Sequence, residues 1–292
     1  MEGLEKLTKD GYPQCLLEIP EPPEQLFYLG EIPNFDEYKY LAVVGSRNHT
    51  SYGKEVVRKI IEGLSGYPIC IVSGLALGID TLAHKYALEY GLKTLSIPGS
   101  GIDFEAIHPR TNINLAREII SKGGCLMSEM LPDQKAKIFS FPRRNRIMAG
   151  ITQAVLIIEA EEKSGTLITA RLALDYNREV FVVPGSIFSD TSVGTNRLIK
   201  QGATPVTSAR DILEFFNFIE PVGFENNQDT KQSHNLNPEE QAVYTMLREP
   251  IERDELIYRL GTNISEAQSL LTIMEIKGLI EEEYGMIRRR NI

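Results

Sequence analysis

The chain has 292 residues, 42% hydrophobic and 24% charged, with Lys+Arg 31 against Asp+Glu 40 and a formal net charge of -9. This composition describes a globular chain long enough for one large domain and a small one; the charge excludes diffuse attraction to nucleic acid, though not a local basic site. Cys15, Cys70 and Cys125 are too few and odd in number for a disulfide framework and fit a reducing cytoplasm, no apolar run approaches the ~20 residues of a membrane helix, and MEGLEKLTKDGYPQC has no apolar signal-peptide core.

Residues 1–40 are proline-rich and read as an irregular lead-in, with Leu16, Leu17 and Ile19 available to pack as an edge segment. From 41 onward, short β-branched runs read as buried parallel strands: LAVVG (41–45), ICIVSG (69–74), KTLSIPG (93–99), CLMSE (125–129), AVLIIEA (154–160) and VFVVPG (180–185). Amphipathic stretches at 53–65, 79–90, 112–122, 143–151 and 165–177 separate them. Strands alternating with helices predict an α/β fold: an extended Rossmann-like, doubly wound, mostly parallel sheet over 41–218. Strand after strand ends in Gly, Ser or Pro-Gly, and open α/β sheets bind ligands outside these strand ends. Residues 219–237 are polar and read as a linker. Residues 238–292 predict three helices and a hairpin, a small winged-helix domain, with Asn263 and Glu266 placed as a capping box for the third helix.

Three glycine-rich turns are candidate anion sites. Gly45, Ser46 and Arg47 lie between a strand and a helix start, where free N–H groups and a guanidinium suit phosphate. Neither GxGxxG nor the Walker pattern is present. Ser73 and Gly74 open a second such turn, adjacent in a parallel sheet, with Asp80 as a helix cap or a partner for an arginine. Ser164, Gly165 and Thr166 precede another helix and serve equally as an N-cap or a phosphate ligand.

The most informative stretch is FSFPRRNRIMAG (139–150). From Gln134 to Ile158 there are five basic residues (Lys135, Lys137, Arg143, Arg144, Arg146) and no acidic one. Arginine neutralises phosphate, and an exposed phenylalanine gives a sequence-tolerant face for an unpaired base. Phe139 and Phe141, at period two, are expected to share a face; Phe141, nearer the arginines, is expected to be the exposed one. The three arginines are expected to make one groove basic. Catalytic constellations are missing: His49, His84, His108 and His234 are scattered, without zinc-ligand spacing, and there is no GxSxG elbow. Glu129, Glu159 and Glu161, near strand ends, are placed where a carboxylate could serve an acid/base role, and are expected instead to balance local arginines.

VVGSR, SGLALGIDTLAH, IHP, SEM, FPRRNRIMAG, SGTLITARLAL, REVFVVPG and GTNRLIKQGA, in this order and spacing, resemble the DNA-processing protein A (DprA/Smf) family over residues 40–292. The resemblance implies a homodimer that binds single-stranded DNA without sequence preference. It implies protection of incoming strands during natural transformation and loading of the RecA recombinase, with no catalytic activity and no cofactor. The family's Gly-Ser-Arg motif falls on Gly45, Ser46 and Arg47. Its Phe-Pro-x-Arg-Asn-Arg motif falls on Phe141, Pro142, Arg144, Asn145 and Arg146, with Arg143 at the variable position. The forty residues ahead of the sheet are too few for the sterile-alpha-motif-like domain that opens many members. Glu266 and Glu275 against Lys277 make a poor DNA-recognition helix, so a partner-docking or auxiliary role is expected for the winged helix; Arg288, Arg289 and Arg290 are its candidate DNA contacts. LIKQGATPV (198–206) is a candidate dimer surface. The competing reading is a nucleotide-processing enzyme like the nucleoside-monophosphate phosphoribohydrolases, but PGSG (98–101) lacks their Gly-Gly-x-Gly-Thr run.

Overall fold

The computed structural model describes residues 3–219, 236–247, 249–283 and 285–289; the linker expected over 219–237 falls almost wholly outside them. The chain divides into two compact units, Met1–Pro221 and Val222–Ile292.

The first unit runs β1 (Leu4–Thr8), α1 (Gln14–Leu17), β2 (Gln25–Gly30), β3 (Lys39–Val44), α2 (Ser51–Gly63), β4 (Ile69–Ser73), α3 (Ile79–Glu89), β5 (Lys93–Ser96) and α4 (Ile113–Ser121). It continues β6 (Cys125–Ser128), α5 (Ser140–Ile151), β7 (Ala154–Ile157), α6 (Thr166–Asp175), β8 (Glu179–Val182), α7 (Val193–Lys200), β9 (Thr204–Pro205) and α8 (Ala209–Phe215). The strands form one sheet in the order β1-β2-β6-β5-β4-β3-β7-β8-β9, parallel from β6 to β9. β3 therefore has β4 on one side and β7 on the other, and the winding direction reverses between β3 and β7, where such sheets form a crevice.

Strand alternation builds the core on both faces. From β3, Tyr40, Ala42 and Val44 enter one layer with Ile147, Met148 and Ile151 of α5 and Ala170 and Ala173 of α6. Leu41 and Val43 enter the other with Val57, Ile60 and Ile61 of α2 and Ala83 and Ala87 of α3. The i, i+3, i+4 spacing of Val57, Ile60 and Ile61 gives α2 one apolar stripe, which meets the sheet.

The lead-in is more regular than its prolines suggest. β1 pairs antiparallel with β2, and β2 pairs antiparallel with β6, so residues 1–40 extend the sheet and cover its edge. The prolines sit outside these strands (Pro13, Pro20, Pro22, Pro23), where a missing N–H leaves no ladder bond unmade. Leu16 and Ile19 are buried as expected, and Leu26 is fully buried in the same layer as β3.

The second unit has α9 (Pro238–Met246), β10 (Ile251–Glu252), α10 (Arg253–Leu260), α11 (Ile264–Ile276), β11 (Ile280–Glu283) and β12 (Met286–Arg289). Its three strands order β10-β12-β11, and its own core includes Val243, Leu256, Leu271, Met274 and Ile287. This is the three-helix winged arrangement. The full capping box is on α9, between Asn237 and Glu240, whereas Asn263 caps α11 through the N–H of Ser265 at 3.0 Å.

If the lead-in is integral to the sheet, Leu26→Ala will lower stability toward urea by about 2–5 kcal/mol, the ordinary cost of a large-to-small change in a core. A change below about 0.5 kcal/mol would mean that residues 1–40 are an appendage.

Candidate nucleic-acid interface

At the β3/β7 crevice a groove of about 380 Å³ is lined by the strand end Val44–Asn48, by Phe141, Arg144 and Asn145 of α5, and by Ser164, Gly165 and Thr166 ahead of α6. The expected turns thus converge, but they are not equally open.

Helix α2 begins at the N-cap Thr50, whose Oγ1 accepts from the Gly53 N–H at 3.1 Å. Its N-terminus already holds an anion: the buried carboxylate of Glu159 accepts from the Thr50 N–H at 3.0 Å and from the Thr50 hydroxyl. A side chain at Gly53 would collide with that carboxylate at 2.4 Å. Ser46 is buried, its hydroxyl bonded to both the N–H and the carbonyl of Asn48. Arg47, in contrast, is exposed. Its guanidinium lies 5.3 Å from the Phe141 ring centroid, and no carboxylate among the described residues pairs with it.

The second turn is closed. Ser73 is buried and donates to the Val43 carbonyl at 2.7 Å, and the Gly74 N–H donates to Asp80 at 3.1 Å. Asp80 also accepts from Ala76 N–H at 3.3 Å, so it reaches back into the turn rather than capping its own helix. The expected pair of phosphate sites therefore reduces to one, because the protein's own carboxylate fills the other. Gly78 lets this turn close: its φ is +78°, and a Cβ there would strike the Ser46 carbonyl at 2.2 Å.

The third turn is open. Thr166 Oγ1 donates to the Gly45 carbonyl at 3.1 Å, tying α6 to the end of β3, and Ser164 Oγ accepts the Thr166 N–H at 3.2 Å. Gly165 is exposed, and nothing lies within 4 Å of where its Cβ would be. Of the helix N-termini at this crevice, that of α6 faces the groove without a carboxylate on it.

The arginines separate for a reason of helix geometry. α5 starts at Ser140, three residues before the expected start, with Pro142 in its first turn, where a missing N–H is harmless. Arg143 and Arg146, at i and i+3, share a helix face, and both pair with Glu129, at 2.9 and 2.5 Å. Arg143 remains largely exposed, while Arg146 is 8% exposed and also donates to the Glu21 carbonyl. Arg144 points a different way. Also 8% exposed, it donates to the carbonyls of Gly74 and Ile97 and, through Nε, to Asn145 at 3.1 Å. A Cβ at Gly74 would sit 1.9 Å from its guanidinium. Burial lowers the Arg144 pKa, against the pull of Asp80, and burial likewise raises that of Asp80, against the pull of Arg144. The expectation of three arginines in one groove is corrected: one lies exposed beside Glu129, one is buried beneath the groove, and one is buried beside the lead-in.

The phenylalanines separate likewise. Two residues apart across a helix start, they point away from each other, whereas a strand would have aligned them. Phe139 is the exposed one, at 61%, with Lys137 5.8 Å from its ring centroid. Phe141 is half-buried, packed on Gly99 and His108 with a ring distance of 5.9 Å to the latter, yet its ring lines the groove beneath Arg47. The expectation that Phe141 is the more exposed is thereby corrected. Lys137 and Phe139 lie outside the groove; Phe139 and Arg143 line a separate hollow of about 100 Å³ on another side of α5. Glu129 balances arginines as expected, but Glu159 caps a helix and Glu161 lines the groove. Sequence reading missed Gly99 and His108 as supports of Phe141; the IHP run was the signal for the second.

The family model for DNA recombination-mediator protein A matches residues 5–217, and the DprA winged helix domain model matches 227–286. The chain is 38% identical over 277 residues to Protein Smf of Escherichia coli, covering 92% of this chain and 72% of that one. It is 43% identical over 214 residues to DNA processing protein DprA of Streptococcus pneumoniae, covering 73% of each. The X-ray structure of the pneumococcal protein superposes with a TM-score of 0.67 at 39% identity over 73% of this chain and 74% of that one. DNA processing protein A from Helicobacter pylori, described for its single-stranded DNA binding mode, superposes with 0.65 at 29% identity over 73% and 96%.

Arg144→Met leaves Asp80 buried without its cation and two carbonyls without a donor. It will cost about 3–5 kcal/mol in urea unfolding, as removal of one member of a buried charged set does. Arg47→Met, at an exposed position, will stay within about 0.5 kcal/mol.

Proposed function

The chain belongs to the DNA recombination-mediator protein A family, and from that premise we propose that it binds single-stranded DNA without sequence preference, protects incoming strands in transformation and helps load RecA recombinase. The observation that carries this reading is Arg47: an exposed, carboxylate-free guanidinium over the Phe141 ring, facing the open N-terminus of α6 across the groove. In this reading Arg47 and the Gly165 N–H take phosphate, Phe141 takes the face of an unpaired base, and Asn145 lines the path between them. A duplex keeps its bases stacked and cannot offer one to Phe141. Arg143 and Lys137, exposed to the side, extend the path of the strand. Ser46, Ser73, Gly74, Arg144 and Arg146, committed inside the protein, hold the groove's shape instead of touching DNA. The Helicobacter relative's described binding mode supports the same ligand class.

The reading includes no catalytic step and no cofactor. At the strand ends Asp80 and Glu159 are both engaged with backbone N–H groups, and Glu161 lines the groove. The place of action is the cytoplasm, where incoming strands meet RecA, and the three free cysteines suit it; among the described residues no helix is long and apolar enough to cross a membrane.

For the homodimer, the expected surface 198–206 exposes Lys200, Gln201, Gly202, Thr204 and Pro205 while its apolar Leu198, Ala203 and Val206 are buried within the unit, and Ile187 and Phe188 are 81% and 94% exposed. We assign the dimer surface to Ile187, Phe188 and Val193, an apolar group that a second copy would cover.

Oligo(dT) binding measured by fluorescence anisotropy will weaken steeply with salt and exceed that of an equal-length blunt duplex. Arg47→Ala will lower the salt slope by about one unit, and Phe141→Ala will cost about 1–3 kcal/mol, one stacking interaction. Equal affinity for the duplex would sink the proposal. In sedimentation analysis, Ile187→Asp with Phe188→Asp will convert a dimer to monomers with the fold intact; an unchanged mass would remove that surface from consideration.

A further inference from the structure

The winged-helix unit is built in a way that points away from nucleic acid. Residues 238–292 hold eleven acidic residues against seven basic ones. Each basic side chain described there is committed. Arg253 pairs with Glu275 and Glu282, Arg259 with Glu255, Lys277 with Glu240 and Arg288 with Glu281. Arg289 donates to the Tyr244 carbonyl at 2.7 Å and lies 4.5 Å over its ring, while Arg290 lies outside the described residues. Helix α11, which occupies the recognition position, exposes Ile264, Ile273 and Ile276 and has no Lys or Arg within Ile264–Ile276. Phosphate recognition rests on free cations, and the described residues here offer none.

What the unit does offer is a groove of about 400 Å³ beside the edge strand β10. Met246, Pro250, Ile251 and Met286 supply its apolar surface. Glu249 and Glu252 are exposed at it, and no cation among the described residues pairs with either. Glu255 joins them, its charge shared with Arg259 at 2.5 Å. One turn along the same helix, Tyr258 is 86% exposed. Methionines adapt their shape to varied apolar side chains, and unpaired carboxylates at the rim select cations.

We propose that this groove docks a cationic amphipathic segment of a partner protein, with its apolar side chains against Met246 and Met286 and its Lys or Arg residues on Glu249 and Glu252. The charge complementarity favours a cationic occupant: the lining holds Glu249, Glu252 and Glu255 against Arg259, whose charge Glu255 already shares, so an acidic or nucleic-acid partner would meet two unpaired carboxylates.

The test uses the full chain and a fluorescein-labelled synthetic peptide of Leu and Lys at amphipathic-helix spacing, read by anisotropy. Glu249→Lys with Glu252→Lys will weaken binding about tenfold or more. Glu239→Lys with Glu266→Lys, the same charge change elsewhere on the unit, will change it less than about twofold, and so distinguishes docking from general attraction to an acidic protein. Met286→Ser will weaken the peptide and leave binding of a labelled DNA duplex unchanged. Absence of peptide binding, equal loss in both double variants, or a Met286→Ser variant that loses the duplex and keeps the peptide would each overturn the proposal.

Discussion

The buried guanidinium of Arg144 is the interaction on which the crevice depends. It reaches from α5 under the ends of β4 and β5, donates to the carbonyls of Gly74 and Ile97, and stands beside the buried Asp80. Asp80 in turn holds the N–H groups of the turn that follows β4. A cation and an anion taken out of water together tolerate burial only if their remaining hydrogen-bonding capacity is filled. Here strand-end backbone fills it on both sides. The arrangement locks α5 against the sheet and so fixes where Phe141 and Asn145 stand.

The same logic explains which parts of the crevice face outward. A doubly wound sheet brings several helix N-termini to one rim, each with unpaired N–H groups. This chain closes the α2 terminus with Glu159 and the turn before α3 with Asp80, and leaves that of α6 open. Internal carboxylates thus take the place of ligand at all but one position. Arg47 then stands at that rim as a cation that no carboxylate among the described residues pairs with, and in the proposed reading a bound polyanion runs along the line from Arg47 to Gly165. The acidic surface elsewhere, at a net charge of -9, adds repulsion away from that line.

Much of this was legible in the sequence. The parallel strands, the helices between them and the winged helix follow from periodicity, because buried strands and amphipathic helices leave different spacings of apolar residues. The small residues at the strand ends mark the crevice, but the pairing they suggest, Gly45–Arg47 with Ser73–Gly74, is not the open one: Ser164–Thr166 lines the groove instead. The roles of the arginines did not follow, because they depend on where α5 begins. With Ser140 as its first residue, Arg143 and Arg146 share a face and Arg144 does not, and Phe139 and Phe141 diverge. Pro142 obscured that start, since a proline reads as a break although a first turn accepts one. The identity of the internal anions was equally hidden. Glu159 lies 109 positions from Thr50, and nothing local marks that contact. The strands of the lead-in were masked by prolines that fall just outside them.

The central claim is that an unpaired base of bound DNA stacks on Phe141, beneath Arg47, and not on Phe139. Ultraviolet crosslinking of bound oligo(dT), with the modified residue located by tandem mass spectrometry, tests it most directly. The account predicts the crosslink on Phe141. Crosslinks confined to Phe139, with Phe141 unmodified, would place the stacked base there and contradict it.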